Sequence, residues 1–123
     1  MKKIFVCSPY SGGTDSIELN VAFAQEVCRV LVKHGYAPFA PHLFYPQFLD
    51  DLNEEQRAAG LNCGIAWLDT CDEVWVFGPQ SKGMKMEVIL AERRGKPVKY
   101  LDVHNWRDSF SKTKAIVTES VKR

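Results

Sequence analysis

The segment Ser81-Lys82-Gly83-Met84-Lys85-Met86-Glu87 directly follows the apolar run Glu73-Val74-Trp75-Val76-Phe77-Gly78. A buried strand that ends in glycine, opens into a short polar loop and then starts a helix presents backbone N–H groups to an anion. Gly78, Ser81, Gly83 and Met84 are therefore candidate ligand contacts. Glu87 falls within the first two turns of that helix. Beside an anion-binding loop, its carboxylate reads as a charged catalytic group reaching a sugar whose polar end sits in the loop. The competing reading is a solvated helix residue, the usual place for a glutamate.

A second turn-rich loop follows the apolar run Ile4-Phe5-Val6-Cys7. Ser8, Ser11, Gly12 and Gly13 form its floor, and the paired glycines permit positive φ and close backbone approach to a ligand. Tyr10 is either an aromatic wall or a tyrosine half-buried under the first helix. His42 comes after the second expected strand, where it could contact a ligand, donate a proton or serve as a structural hydrogen-bonder. Asp50 and Asp51, with Arg57 beyond them, read as acids at a helix start or as acid–base contacts. The aromatic run Phe44-Tyr45-Pro46-Gln47-Phe48 needs burial, as a lid or as a subunit interface.

These residues have to be positioned by alternating strands and helices. Strands are expected over 4–7, 37–40, 73–77 and 98–101, each bounded by turn signals. Asp15 with Glu18 reads as a capping box for a first helix, with Val21, Ala24, Cys28 and Leu31 on one face and Gly35 at its end. A second helix over 54–70 is open to interruption near Gly60 and Gly64. A third runs from about Gly83 to Arg94, stopped by Gly95 and Pro97. Residues 115–117 read as an added edge strand or as part of a terminal helix. Strands separated by helices argue for an α/β three-layer sandwich of flavodoxin or Rossmann type. Its parallel sheet has four or five strands in the order 2-1-3-4(-5). Ligands in such sheets bind beyond the carboxyl ends of the strands at the switch point, and both turn-rich loops fall there.

Composition bounds the rest. A chain of 123 residues builds one domain, spanning 1–123, with its own core. A net charge of +1 gives no electrostatic case for a nucleic acid or a membrane surface as partner. The apolar run after Lys2-Lys3 breaks at Ser8-Pro9, too short for a secretion signal, so a cytoplasmic protein is expected. Cys7, Cys28, Cys63 and Cys71 show no C-x-x-C spacing, which favours free thiols over disulfides or a zinc site. No cofactor or metal is implied.

The residues Cys7-Ser8-Pro9-Tyr10-Ser11-Gly12-Gly13, Asn20, Ala40-Pro41-His42, Cys71-Asp72-Glu73-Val74-Trp75-Val76-Phe77-Gly78 and Ser81-x-Gly83-Met84-x-x-Glu87 together resemble the nucleoside 2-deoxyribosyltransferase superfamily. This superfamily also holds the deoxynucleoside 5′-monophosphate N-glycosidases. The resemblance implies cleavage or transfer at an N-glycosidic bond of a nucleoside or nucleotide through a covalent glycosyl-enzyme, with Glu87 as nucleophile and Ser81 near the 5′ end of the substrate. It also implies a homodimer or higher homo-oligomer. Two departures stand out. Members carry an aspartate that assists the leaving base eight residues before the aspartate opening the third strand, and counting back from Asp72 lands on Gly64. Asp50, Asp51, Asp69 and His42 are the groups left to substitute. Phe5 stands where the glycosidases have an active-site tyrosine, which leaves Tyr10 to compensate.

Overall fold

The computed structural model describes residues 1–11 and 14–110. Its elements are β1 (Lys3–Cys7), α1 (Ile17–Lys33), β2 (Ala37–Phe39), α2 (Glu54–Thr70), β3 (Glu73–Phe77), α3 (Lys82–Arg93) and β4 (Val98–Leu101). Two single-turn 3-10 segments, Pro41–Leu43 and Tyr45–Gln47, shape the aromatic stretch between β2 and α2. The four strands form a parallel sheet in the order β2-β1-β3-β4. The fold class and strand order are those read from the sequence. The expected fifth strand or helix at 115–117 lies outside the described residues.

The two inner strands are apolar on both faces because helices cover both. Ile4 and Val6 of β1 face α1 and join Val27, Leu31, Phe77 and the aromatic pair Trp106 and Phe110 of a helical segment over 106–110. Phe5 and Cys7 face the other way, into a second core with Leu68 of α2, Val74 and Val76 of β3, and Met84, Val88 and Ala91 of α3. The side-chain period of two along β1 decides which residues can reach the α2–α3 side.

Helix limits follow their caps. The N-cap of α1 is Ser16, whose hydroxyl accepts from Leu19 N–H at 3.2 Å, so Asp15 with Glu18 is not the capping pair. Ser16 wins because its backbone is already extended one residue before the first helical turn. The buried stripe of α1 comprises Asn20, Ala24, Val27, Val30 and Leu31, and the expected Val21 and Cys28 lie half-buried at its margin. Asn53 caps α2 by accepting from Gln56 N–H at 3.1 Å. This helix runs unbroken through both glycines. A Cβ at Gly60 would stand 3.3 Å from Leu49 Cδ1, and one at Gly64 would stand 3.5 Å from Pro41 Cβ. The 41–49 segment thus packs directly against the helix backbone at both glycines, each of which costs a helix roughly 1 kcal/mol. At the other end, Lys96 Nζ donates to the carbonyls of Asp69 and Cys71 at 2.8 and 2.6 Å, holding the turn into β3.

Gly78 ends β3 at φ +79°, and a Cβ there would lie 2.6 Å from Val103 Cγ1. Gly35 has a similar φ of +86° but nothing within 4 Å. Gly35→Ala should therefore cost about 1 kcal/mol, the strain of a left-handed alanine alone. Gly78→Ala adds a backbone-proximal clash and should cost about 2–4 kcal/mol. Urea unfolding of the two variants beside wild type checks the difference.

Candidate functional site

The order β2-β1-β3 means the chain leaves β1 toward one edge and returns past it to β3. The loops after β1 and β3 therefore open side by side at the carboxyl edge of the sheet. A cleft of about 490 Å³ lies there. Tyr10 and Ser11 of the first loop, Ser81, Lys82, Gly83, Met86 and Glu87 at the start of α3, the 41–51 segment and the inner face of α2 all line it.

Each wall has a local cause. Asn20, buried on α1, donates through Nδ2 to the Tyr10 carbonyl at 2.6 Å and to the Asp15 carbonyl at 3.5 Å, tying both ends of the first loop to the helix. Tyr10 stacks on His42 with ring centroids 5.0 Å apart and 17° between planes, forming a flat aromatic flank. Ser11 Oγ donates to Asp51 Oδ2 at 3.4 Å, and Arg57 Nε stands 4.0 Å from Asp51 Oδ1. Burial pushes the His42 imidazole below its usual value, against the opposing pull of Asp51, so it is neutral at pH 7. Burial, with Asp51 next, pushes the Tyr10 hydroxyl up.

Ser81 is the N-cap of α3: its hydroxyl accepts from Met84 N–H at 3.4 Å, while its own N–H faces the Met84 sulfur at 3.5 Å. The N–H groups of the following residues, Lys82 and Gly83, begin the helix without intrahelical acceptors and border the cleft. Positive helix-end potential, the Lys82 ammonium and the serine hydroxyl thus meet at one rim.

Glu87 sits at the floor, with only 4% of its surface exposed. Its recorded side-chain partner is the Cys7 thiol, with Sγ 3.4 Å from Oε1. Burial pushes the carboxyl up from its ordinary 4.5 to about 7, against the opposing pull of the thiol's hydrogen bond. The thiol is itself pushed well above its usual value, by burial first and by Glu87 next, so it stays protonated and donates.

The structure brings Tyr10, Ser11, His42, Asp51, Ser81, Gly83 and Glu87 to one cleft. Other expected site residues stand elsewhere. Met84 is buried in the core at 1% exposure, and Ser8 is buried with its hydroxyl unpartnered among the described residues. Gly78 shapes the turn against Val103. Asp50 turns back on its own loop, accepting from Leu52 N–H at 3.0 Å. Asp69 pairs with Arg94 at 2.7 Å. Gly12 and Gly13 lie outside the described residues. Cys7 escaped the sequence reading as a site residue, although strand parity puts it on the face of Phe5 and so toward α3. Among the described residues, no group of three His, Cys, Asp or Glu could hold a metal ion, and the four cysteines are free. No helix among them is long and apolar enough to cross a membrane.

This architecture is the deoxyribosyltransferase fold. One matching solved structure, of eight matching chains, is the 2-deoxyribosyltransferase from the psychrotolerant bacterium Bacillus psychrosaccharolyticus. The TM-score is 0.65 at 17% identity, covering 81% of this chain and 72% of that one. The chain belongs to the family described as a domain of unknown function, DUF7768, whose model matches residues 2–101. No curated protein matches the chain.

The buried carboxyl has a stability signature. Glu87 binds its proton more tightly folded, near 7, than unfolded, near 4.5, so its contribution to stability falls as pH rises between those values. At roughly 1.4 kcal/mol per unit, the loss levels off at roughly 3–4 kcal/mol above pH 7. Glu87→Gln should remove that loss and be the more stable protein at pH 8, with little advantage at pH 4.5. Denaturant midpoints measured across that range check it.

Proposed function

We propose that the cleft takes a nucleoside or nucleoside 5′-monophosphate and that Glu87 cleaves or transfers at its N-glycosidic bond through a covalent glycosyl-glutamate. The observation that carries this reading is a buried carboxylate on the cleft floor, within the first two turns of an open helix start able to hold a phosphate or hydroxyl. The deoxyribosyltransferase fold supports it. In the first step a carboxylate oxygen bonds to C1′ while the C1′–N bond breaks, its electron pair passing to the base. The departing base takes up a proton from water in the cleft, where Asp51 and His42 can hydrogen-bond it. Water or a second base then attacks C1′, releases its proton to solvent and frees the carboxylate.

A panel of nucleosides and 5′-monophosphates, followed by chromatography of the free base, tests the activity. Glu87→Gln should lower base release by about 10⁴–10⁶-fold while leaving the fold intact. Attack needs the ionised carboxylate, so with a value near 7 the rate should climb as pH rises toward 7 and level off above it. A rate independent of pH from 5 to 8 contradicts this role. For the helix start, Ser81→Ala should weaken binding of a deoxynucleoside monophosphate, as calorimetry would show.

The second reading is a binding module that holds a nucleotide without turning it over. Gly64 favours it, since the resembled enzymes carry an assisting aspartate there. Tight binding with no base released from any member of the panel decides for it. The same proposal extends to a cytoplasmic homo-oligomer. Phe44, Phe48 and Trp67, between 48% and 60% exposed beside the cleft, are the side chains that self-association would cover.

A further inference from the structure

We infer that Cys7 is a positioning residue for Glu87: its thiol fixes Oε1, and the bare backbone at Gly64 leaves Oε2 as the oxygen that attacks C1′. The inference rests on the N-glycosidic reading above. Cys7 ends β1 on the α2–α3 side of the sheet, opposite Val76 of β3 in register. Its Sγ lies 3.4 Å from Glu87 Oε1 and 3.9 Å from the Met84 carbonyl, so both acceptors for the thiol proton belong to the first turns of α3. Cys7 is 1% exposed and Glu87 4%, leaving little room for water to compete for their contact.

The other carboxylate oxygen meets a different environment. A Cβ placed on Gly64 would stand 3.9 Å from Oε2, so at this position α2 sets a glycine rather than a side chain beside that oxygen. Gly64 and Glu87 both line the cleft. The carboxylate is thus held at Oε1 and has a glycine for neighbour at Oε2. A thiol is a weak donor, and it steers the group without drawing off the charge needed for attack. The glycine that stands where the resembled enzymes carry an aspartate is also the one beside Oε2. In the step so directed, an Oε2 lone pair forms the bond to C1′ and the C1′–N pair leaves with the base. Oε1 becomes the ester carbonyl, still on the thiol. The other titratable and charged groups lining the cleft are Tyr10, His42, Tyr45, Asp51, Glu54, Arg57 and Lys82. Glu87's ionisation answers to burial and to Cys7 rather than to any of these.

Cys7→Ala and Cys7→Ser form the test, with thermal melting to establish that each is folded. With a nucleoside that wild type cleaves, Cys7→Ala should lower kcat about 10- to 100-fold with KM little changed, the cost of a misplaced reacting group. Its rate should also rise at higher pH than that of wild type. Cys7→Ser keeps a donor, so it should retain most of kcat and shift the rise to lower pH. A folded Cys7→Ala with wild-type kcat and an unmoved pH profile overturns the proposal. The Glu87 carboxyl titration, followed by carbon NMR, reads the contact without turnover. Identical midpoints in all three proteins overturn the positioning claim, whatever the activity. Ordered midpoints in a protein that releases no base uphold the contact and sink the glycosidic reading instead. In a crystal of an adduct trapped with a fluorinated sugar, the glycosylated oxygen should face Gly64. A glycosylated oxygen on the Cys7 side overturns the assignment of Oε2.

Discussion

The parallel pairing of β1 with β3, from Ile4 opposite Glu73 to Cys7 opposite Val76, is the constraint on which the site depends. It makes the chain reverse its course across the sheet, so that two loops distant in sequence open at one edge. The same register sets parity. Residues with odd numbers at the end of β1 face α2 and α3, which brings a thiol from the first strand to a carboxylate on the third helix, eighty positions later. A slip of one residue would turn Cys7 into the α1 core and replace it with Val6 or Ser8. The apolar character of both inner strands guards against that slip, because each face already has a full set of partners.

The site opposes the stability of the fold that carries it. Ionising a carboxylate at 4% exposure costs desolvation free energy, and the partner at Oε1 is a thiol rather than a charged group or a pair of amides. A protein selected only for stability would place glutamine or leucine at that position. The surrounding packing carries the cost: Met84, Val88 and Ala91 of α3 seat the helix on the sheet on either side of the turn that holds Glu87. The rim is built differently, with partly exposed groups such as Asp51, Arg57 and Lys82. Charge there is cheap to hold and easily rearranged around a ligand.

Much of this was legible in the chain. The four strands and their order followed from apolar runs punctuated by glycine and proline, and Glu87 was singled out by its distance from Gly78 and Ser81. What the sequence hid was side-chain destination. Ser8 and Met84 belong to loop and helix-start motifs that look like ligand contacts, yet both are buried, because a residue at a strand end or in a first helical turn can point either way. Asp50, Asp51 and Asp69 are equivalent as letters. Only packing separates the one lining the cleft from the one turned on its own loop and the one paired with Arg94. The glycines of α2 suggested a break because propensity argues for one, whereas the helix runs through both with Pro41 and Leu49 packed against them.

The way α2 is attached has a consequence for motion. Of its residues only Gly64 and Leu68 are fully buried, and two glycines face the 41–49 segment. One wall of the cleft is thus seated in part backbone against side chain, with Leu68 in the core and Trp67 stacked on Phe39 as its side-chain anchors. Elements with few buried apolar anchors open at a smaller free-energy cost than the strands beneath them. Helix α2 and the aromatic segment touching it are on that ground the part of the fold expected to open before the sheet, with amides expected to exchange with solvent sooner than those of β1 and β3. A ligand bridging Tyr10, Asp51 and the start of α3 would slow that exchange by closing that part on itself.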